Sequence, residues 1–475
     1  MKNLYFTTIL FLLVITGFSQ NQKKDYSEAF KLIEAWLDTQ KDYEQLPAIT
    51  AIIIEDQNVL WKGAFGLANI EDSIKAEAST ICSICSISKL FTSVAIMKLY
   101  EEGKLRLDDN INDLLPWYNL SQKFPESMPI TVRTLMTHSS GLPRESNYPY
   151  WTPPDFPFPT EKQINEGLSK QETLYPTSTY FQYSNLGMTL LGEVIEEITG
   201  IPYDDYIRQN IIEPLGLTDT RTELPTNLYG DKLAYGYGAI NRDLKRDKIN
   251  FFQANGVKPA AGFSSNVIDL GKFASWQFRL LDTTATEILK SSTLRYMQNV
   301  HWIDPDWKRT WGLGFIVTKG EDGSKWVGHD GSCPGYRTGL LLNTKSKLAF
   351  SVMINANGTN PYKYIRGMNA IMSKVEVPSK NDSAKNLQEY IGYFNAQPWG
   401  SEEYIATWNG KLVVLNLPSE NPGDSMTFYK HIEGDIFKRI RDDGELGETL
   451  MFERDDSGNI NRYKQHGNYT VKINR

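Results

Sequence analysis

Ser86-Ile87-Ser88-Lys89 opens a largely apolar segment that is predicted to form a long amphipathic helix running to about Glu102 and stopping at Gly103. A serine and a lysine three residues apart project from the same face of a helix, one turn apart. A lysine kept neutral by burial and nearby positive charge can take the proton of that serine, which is otherwise a poor nucleophile. On its own, the Ser-x-x-Lys spacing is more often a helix cap followed by a solvated lysine. Further motifs in the chain are therefore needed to identify a catalytic pair.

Two further motifs follow in the chain, Tyr183-Ser184-Asn185 and His329-Asp330-Gly331. Tyr183 is a candidate second proton carrier whose phenolate a lysine would stabilise; the alternative is an ordinary half-buried aromatic. The amide of Asn185 can hold a lysine and a substrate amide together; the alternative is a helix N-cap. His329 is expected to titrate near neutrality, and Gly331 on the same predicted strand permits close approach of a substrate backbone.

In this order, the three motifs resemble those of the serine β-lactamase and penicillin-binding-protein superfamily. Tyr-x-Asn as the second motif resembles the class C β-lactamase-like serine hydrolases. The resemblance covers about residues 27 to 375 and includes further strings: Gly103-Lys104-Leu105 with Leu107-Asp108-Asp109, Thr137-His138-Ser139-Ser140-Gly141-Leu142-Pro143, Pro214-Leu215-Gly216-Leu217, and Ala261-Gly262-Phe263-Ser264-Ser265. Within the second string, His138 is expected to order its loop rather than to perform chemistry.

The resemblance implies a serine hydrolase that forms an acyl-enzyme on Ser86, with Lys89 and Tyr183 as its other catalytic residues. It also implies an oxyanion hole made by the main-chain N–H groups of Ser86 and Ser332. Substrate binding or support falls to four residues, which are Asn185, His329, Gly331 and Ser332. We expect no cofactor and no metal ion.

The third motif departs from the family pattern at two positions. Family members carry lysine where this chain has His329, and close relatives place a hydroxyl residue where it has Asp330. An aspartate pointing into the site would repel a substrate carboxylate, but alternate strand residues face opposite ways and its direction is open. We therefore expect an esterase or a peptidase for D-amino-acid or cell-wall peptides rather than an efficient β-lactamase.

A non-hydrolytic protein on the same fold is the alternative function. Such a protein would bind penicillin or sense cell-wall fragments, and it would acylate slowly or not at all. The altered third motif motivates this alternative, and so does the extra C-terminal domain. The intact Ser86, Lys89 and Tyr183 argue against it.

Strands are predicted at both ends of a first domain, and helices are predicted between them. The predicted strands are Ala48 to Ile54, Val59 to Phe65, Gly312 to Val317, Lys325 to His329, Thr338 to Asn343 and Ala349 to Asn355. Besides the Ser86 helix, the predicted helices are Tyr26 to Leu37, Leu186 to Thr199 and Tyr364 to Ser373. The fold class is therefore α+β, with an antiparallel sheet flanked by helices and an inserted helical lobe, over residues 20–378.

A second, all-β domain is predicted over residues 384–475. Pro378 to Lys385 is polar and is interpreted as a linker. Short aromatic strands follow it, and four turns separate them: Asn409-Gly410, Pro422-Gly423, Asp443-Gly444 and Ser457-Gly458. This pattern predicts a small β-barrel-like domain, which we expect to cap the substrate groove or to aid stability.

Residues 1–19 are predicted to be a secretory signal peptide. Lys2 supplies a positive charge, Leu4 to Ile15 is almost entirely apolar, and Gly17-Phe18-Ser19 suits a cleavage site. The apolar run is too short to span a membrane comfortably, so we expect an exported, periplasmic or secreted protein without a stable membrane anchor. The formal charge of −7 argues against a nucleic-acid partner and leaves a small-molecule or peptide substrate, with the cell wall as one source.

Three cysteines, Cys82, Cys85 and Cys333, are an odd number for an exported chain. A zinc site would need two more ligands nearby, and a redox site would need a thioredoxin-like setting. We expect buried thiols that pack around the start of the Ser86 helix, with one disulfide as the alternative.

Overall fold

The computed structural model describes residues 24–320, 322–376 and 386–475. The predicted signal peptide and the predicted linker lie outside the described residues. Within these three ranges, no helix has the length and apolar character needed to cross a membrane.

Helices and strands alternate irregularly along the described chain. The α-helices are α1 (Ser27–Tyr43), α2 (Ser88–Glu101), α3 (Ile111–Leu114), α4 (Val132–Met136), α5 (Glu161–Gly167), α6 (Asn185–Thr199), α7 (Tyr203–Ile207), α8 (Lys258–Ala261), α9 (Val267–Asp282), α10 (Ser291–Met297) and α11 (Pro361–Ser373). The strands before the predicted linker are β1 (Ala48–Glu55), β2 (Asn58–Asn69), β3 (Ile74–Lys75), β4 (Cys82–Ser83), β5 (Ser264–Ser265), β6 (Thr286–Glu287), β7 (Leu289–Lys290), β8 (Trp302–Ile303), β9 (Thr310–Trp311), β10 (Ile316–Lys319), β11 (Lys325–Cys333), β12 (Tyr336–Asn343) and β13 (Leu348–Ile354). The strands after it are β14 (Gly392–Asn395), β15 (Glu402–Trp408), β16 (Lys411–Leu417), β17 (Met426–Glu433), β18 (Ile436–Ile440), β19 (Leu446–Arg454), β20 (Ile460–Gln465) and β21 (Asn468–Ile473).

One antiparallel sheet joins the two ends of the first unit, in the order β3-β2-β1-β13-β12-β11-β10-β9-β8. Strand β1 pairs with β13, which places Ile52 opposite Ser351. Because side chains alternate along a strand, Ile52 packs on the core that contains α2 and α9, whereas Ile53 packs on the core that contains α1 and α11. The predicted α+β class, with its sheet between helices and its helical lobe, is confirmed.

The helix predicted after Ser86 is present as α2, but its residues Ser88 to Met97 are buried on all sides, so the predicted amphipathic character is wrong. Its small hydroxyl groups resemble a polar face in sequence, but they find partners inside the protein. The hydroxyl of Thr92 lies 2.6 Å from the Tyr203 hydroxyl and donates to the Pro259 carbonyl at 2.7 Å. A helix that is buried all round belongs to the centre of a domain, and α2 forms that centre here.

The predicted strand from Gly312 to Val317 is present only from Ile316 onward. Gly314 has a φ of +80°, and a Cβ there would lie 1.9 Å from the Ser93 hydroxyl oxygen of α2. Leu313 and Phe315 are fully buried. The segment therefore bends into the core against α2 before strand β10 begins.

Strands β14 to β21 form a closed eight-stranded barrel, as the alternation of short strands and turns predicts. The barrel packs on α1 and α11, since Trp408, Val413 and Leu415 belong to the same core as Trp36 of α1. The indole of Trp36 also donates to the Ser419 carbonyl at 2.9 Å. This core lies on the opposite side of the sheet from α2, so the barrel does not cap the face that carries Ser86.

We expect the Leu415→Ala substitution to lower the free energy of unfolding by about 2–5 kcal/mol, because it opens a cavity in the core that the barrel shares with α1. Val471→Ala is the matched control in the same barrel, since that side chain is 54% exposed. Chemical denaturation with a fluorescence readout measures both variants. Equal stability of the two would contradict a shared core.

Candidate active site

Ser86 lies in a 3-10 turn, Cys85–Ile87, that leads directly into α2. Cys85 has a φ of +50°, which is the left-handed region that residues other than glycine seldom adopt. One turn further, the Nζ atom of Lys89 lies 3.1 Å from the Ser86 hydroxyl oxygen. The spacing of Ser-x-x-Lys therefore brings the two side chains together, as the sequence predicts.

Lys89 is fully buried and has three oxygen neighbours. Its Nζ atom donates to the Asn185 Oδ1 atom at 2.8 Å and to the Ala260 carbonyl at 2.7 Å. A neutral amine has two hydrogens and one lone pair, and the two carbonyl groups accept both hydrogens. The lone pair is then directed at the Ser86 hydroxyl, which can donate its proton to it.

Burial lowers the pKa of Lys89 from 10.5 to about 7. The negative charges of Glu145 and Asp330 raise this pKa, and the positive charge of Arg144 lowers it. A substantial fraction of the side chain is therefore neutral near pH 7. This agrees with the prediction that burial and a nearby positive charge keep the lysine basic.

Asn185 is the first residue of α6, and the residue before it caps the helix. The Ser184 hydroxyl accepts from the Gly187 N–H at 2.9 Å, so the alternative of Asn185 as the N-cap is wrong. The Nδ2 atom of Asn185 donates to both carboxylate oxygens of Glu145, at 2.8 and 3.0 Å. With Oδ1 on Lys89, both polar ends of the amide have protein partners, and the second lone pair of Oδ1 remains able to accept a hydrogen bond from a substrate amide.

Glu145 is a residue of the site that the motifs did not reveal. Besides Asn185, it accepts a hydrogen bond from the Tyr150 hydroxyl and pairs with the Arg144 Nε atom at 3.1 Å. It orients Asn185 and places a negative charge behind Lys89. In the sequence, the only indication of Glu145 was its position two residues after Pro143, the last residue of the string Thr137 to Pro143.

Tyr183 lies on the other side of the nucleophile, with its hydroxyl hydrogen-bonded to Ser86. The centroid of its ring is 4.9 Å from the Lys89 Nζ atom and 4.8 Å from the Arg144 Cζ atom. Burial raises the pKa of Tyr183 above its usual value of 10. The resting group is therefore a neutral phenol, which can act as a proton donor.

His138 supports Tyr183 from behind, with its ring centroid 4.3 Å from that of the tyrosine. Its Nδ1 atom accepts from the Ser184 N–H at 3.2 Å, and burial lowers its pKa well below 6.5. Trp311 packs on the same histidine at 5.1 Å. These contacts agree with an ordering role for His138.

The aromatic residues Tyr148 to Trp151 serve mainly in packing. Tyr150 is buried, with its ring 4.9 Å from that of Phe158. Trp151 meets Phe158 edge-to-face at 5.0 Å. The aromatic ring that packs beside both Tyr183 and His329 is instead that of Trp311.

His329 is buried, with its Nδ1 atom 2.6 Å from the Asp330 carbonyl oxygen and its ring centroid 6.2 Å from that of Tyr183. A carbonyl only accepts, so Nδ1 carries the proton. Burial lowers the pKa of His329 to about 4, although the charge of Asp330 raises it. The imidazole is neutral at pH 7, and the predicted titration near neutrality is wrong because desolvation dominates.

Asp330 lies on the opposite face of β11 from His329. It pairs in the sheet with Gly339, and a Cβ on Gly339 would meet Pro361 and Ile365 of α11 at 3.2 and 3.1 Å. The nearest cation is Arg337, whose Nη2 atom is 3.8 Å from the Asp330 carboxylate. The side chain is therefore directed to the α11 side of the sheet, although its charge still acts on Lys89.

Gly331 is required by the close approach of β11 to the turn that carries the nucleophile. A Cβ at this position would lie 2.3 Å from the Ile84 carbonyl oxygen and 2.2 Å from the Thr338 Oγ1 atom. Ser332 follows and is exposed. The third motif thus borders Ser86 through its main chain rather than through long side chains.

Cys85 and Cys333 form a disulfide, with their Cα atoms 5.7 Å apart. The expected set of free buried thiols is therefore wrong for these two residues and correct for Cys82, whose pKa burial raises to about 12. The two partners are separated by 248 positions in the sequence, and spacing over such a distance carries no information about which cysteines pair.

Known proteins are similar to this chain in sequence or in fold. Beta-lactamase-like protein 4 from Dictyostelium discoideum is 27% identical over 359 residues, which is 70% of this chain and 61% of that protein. The octameric penicillin-binding protein homologue from Pyrococcus abyssi superposes with a TM-score of 0.64 at 23% identity, covering 93% of this chain and 100% of that chain. A D-stereospecific amidohydrolase from a Streptomyces species gives 0.59 at 22% identity, covering 70% of this chain and 96% of that chain.

The match to the Dictyostelium protein thus spans less than two thirds of its length. The family model named Beta-lactamase matches residues 33–371, which is well over half of this chain. The chain therefore belongs to the β-lactamase family, as the three ordered motifs indicate.

Proposed function

We propose that the protein is an exported serine hydrolase that forms an acyl-enzyme on Ser86 and cleaves an ester or an amide. The observation that carries the proposal is the environment of Lys89. Its Nζ atom lies 3.1 Å from the Ser86 hydroxyl oxygen, so the neutral amine can accept the hydroxyl proton, and its pKa of about 7 suits a general base. The proposal of export is supported by the apolar segment Leu4 to Ile15, which is predicted to belong to a signal peptide.

In the acylation step, the Ser86 oxygen attacks the carbonyl carbon of the substrate while its proton passes to Lys89. The negative charge that develops on the carbonyl oxygen is stabilised by the main-chain N–H groups of Ser86 and Ser332. When the tetrahedral intermediate collapses, the alcohol or amine leaves with a proton. The neutral phenol of Tyr183, hydrogen-bonded to Ser86, is placed to deliver that proton, and Lys89 then reprotonates it.

The substrate is an ester or a D-amino-acid amide, with cell-wall peptides as one source, rather than a β-lactam turned over efficiently. A neutral His329 supplies no fixed positive charge for a substrate carboxylate. The name of the structurally similar D-stereospecific amidohydrolase supports an amide with a D-residue. We therefore expect short-chain esters and D-amino-acid amides to be cleaved faster than nitrocefin.

A non-hydrolytic penicillin-binding or sensing protein is the second candidate, and the position of Glu145 favours it. This carboxylate is held by Asn185 and Tyr150 rather than directed at an acyl group on Ser86. Deacylation then depends on Tyr183 or Lys89. A burst of p-nitrophenol equal to the amount of enzyme, without further turnover on esters and D-peptides, would favour this candidate over hydrolysis.

We expect a fluorescent phosphonate to label the purified protein at Ser86 and the Ser86→Ala variant to remain unlabelled. Ser79→Ala is the control, since its hydroxyl donates to the exposed Glu77 carboxylate at 3.0 Å and lies outside the turn of Ser86. That variant should label like the wild type. Mass spectrometry of the labelled peptide identifies the residue, and undiminished labelling of Ser86→Ala would refute the assignment.

We expect kcat/KM to rise with pH through about 7, because Lys89 accepts a proton only when it is neutral. Glu145→Gln removes a negative charge that raises the pKa of Lys89, so this acidic limb should move to lower pH. The distant Glu172→Gln variant, which loses only a surface pair with Lys123, should keep the wild-type profile. An unmoved limb, or one that moves to higher pH, contradicts the role given to Glu145.

A further inference from the structure

The Cys85–Cys333 disulfide lies between the two segments that border the nucleophile. Cys85 directly precedes Ser86, and Cys333 directly follows Ser332. The bridge therefore joins the two residues next to the main-chain N–H groups that the proposed mechanism uses as oxyanion donors. Both cysteines are buried, with exposures of 0% and 5%.

The contacts around this bridge show how closely the two segments approach. A Cβ on Gly331 would lie 3.1 Å from the Cβ of Cys85. On the next strand, the Thr338 hydroxyl donates to the Ile84 carbonyl at 3.1 Å. These contacts and the disulfide connect the turn of Ser86 to the sheet. Among them, the disulfide is the covalent bond.

The backbone of Cys85 provides an independent reason for such a connection. Its φ of +50° is unfavourable for a residue with a side chain, so the turn persists only where surrounding contacts hold it. The direction of the Ser86 N–H depends on this turn. Loss of the bridge removes the covalent restraint on Cys85 and leaves its backbone held only by hydrogen bonds and packing, such as the bond from the Ser88 hydroxyl to the Cys85 carbonyl.

We infer that Cys85 and Cys333 are positioning residues that set the separation of the Ser86 and Ser332 N–H groups. This inference rests on the proposed function. Oxyanion donors act when they lie within hydrogen-bonding distance of the developing charge, and a small displacement weakens them steeply. The bridge therefore contributes to the rate of acylation and not only to the stability of the fold.

The test compares the Cys85→Ala and Cys333→Ala variants, the double variant and Cys82→Ala. Cys82 is the matched control, because it is buried in the same segment and carries no bridge. We expect kcat for p-nitrophenyl acetate to fall by about ten- to a hundredfold in the first three variants with KM unchanged. The double variant should equal the single ones, since all three lose the same bond.

All rates are measured at a temperature at which thermal unfolding shows every variant to be folded. Phenylboronic acid provides a readout that a purely structural role would not move, because its tetrahedral adduct on serine places an oxygen among the oxyanion donors. We expect its affinity to fall in parallel with kcat while KM is unchanged. Cys82→Ala should retain the wild-type values.

Two results would overturn the inference, and they are distinguishable. A folded double variant that is acylated within about twofold of the wild-type rate refutes the positioning role alone. A wild-type protein that the phosphonate does not label at Ser86 refutes the proposed function and this inference with it.

Discussion

An ammonium group in the interior of a protein loses its hydration, and Lys89 has no exposed surface. The fall of its pKa from 10.5 to about 7 corresponds to about 5 kcal/mol against the charged form. Its contacts are a hydroxyl and two carbonyl-type oxygens, and no carboxylate among the described residues pairs with it directly. The packing around α2 must exclude water from this amine. The hydrophobic core and the chemistry of the site therefore depend on the same contacts.

The helical lobe and the sheet contribute different parts of the site. Asn185 from α6 and Ala260 from α8 hold Lys89, and these helices approach so closely that a Cβ on Gly192 would lie 2.3 Å from Pro259. The sheet contributes β11, which borders Ser86 with its main chain. Lys89 itself lies on α2 and is held by the lobe, whereas the proposed oxyanion donors lie at the border between α2 and the sheet. The relative position of these two units determines whether the nucleophile and its donors are aligned.

Local features were readable from the sequence, and features that need distant partners were not. The Ser86–Lys89 spacing, the helix predicted from Leu186 to Thr199 and the alternating strands of the barrel each depend on a few neighbouring residues. By contrast, α2 was predicted to be amphipathic because hydroxyl groups that bond across the core resemble a solvated face. Glu145 belongs to no motif, because its role depends on contacts with residues from α6. His329 is neutral because burial lowers its pKa, and the pKa of a free histidine side chain does not include this effect.

The neutral state of His329 changes how charge must be balanced in the proposed mechanism. Family members with lysine at this position have a fixed positive charge beside the nucleophile, whereas here the imidazole is neutral and Lys89 must be neutral to act as a base. Arg144 is the cation over Tyr183, but it is exposed and paired with Glu145. The developing oxyanion then depends mainly on main-chain N–H dipoles. The energy of a dipole falls off with distance more steeply than that of a full charge, so a site of this kind tolerates less displacement of its donors. A covalent link at the point where the two donor segments meet is consistent with that requirement.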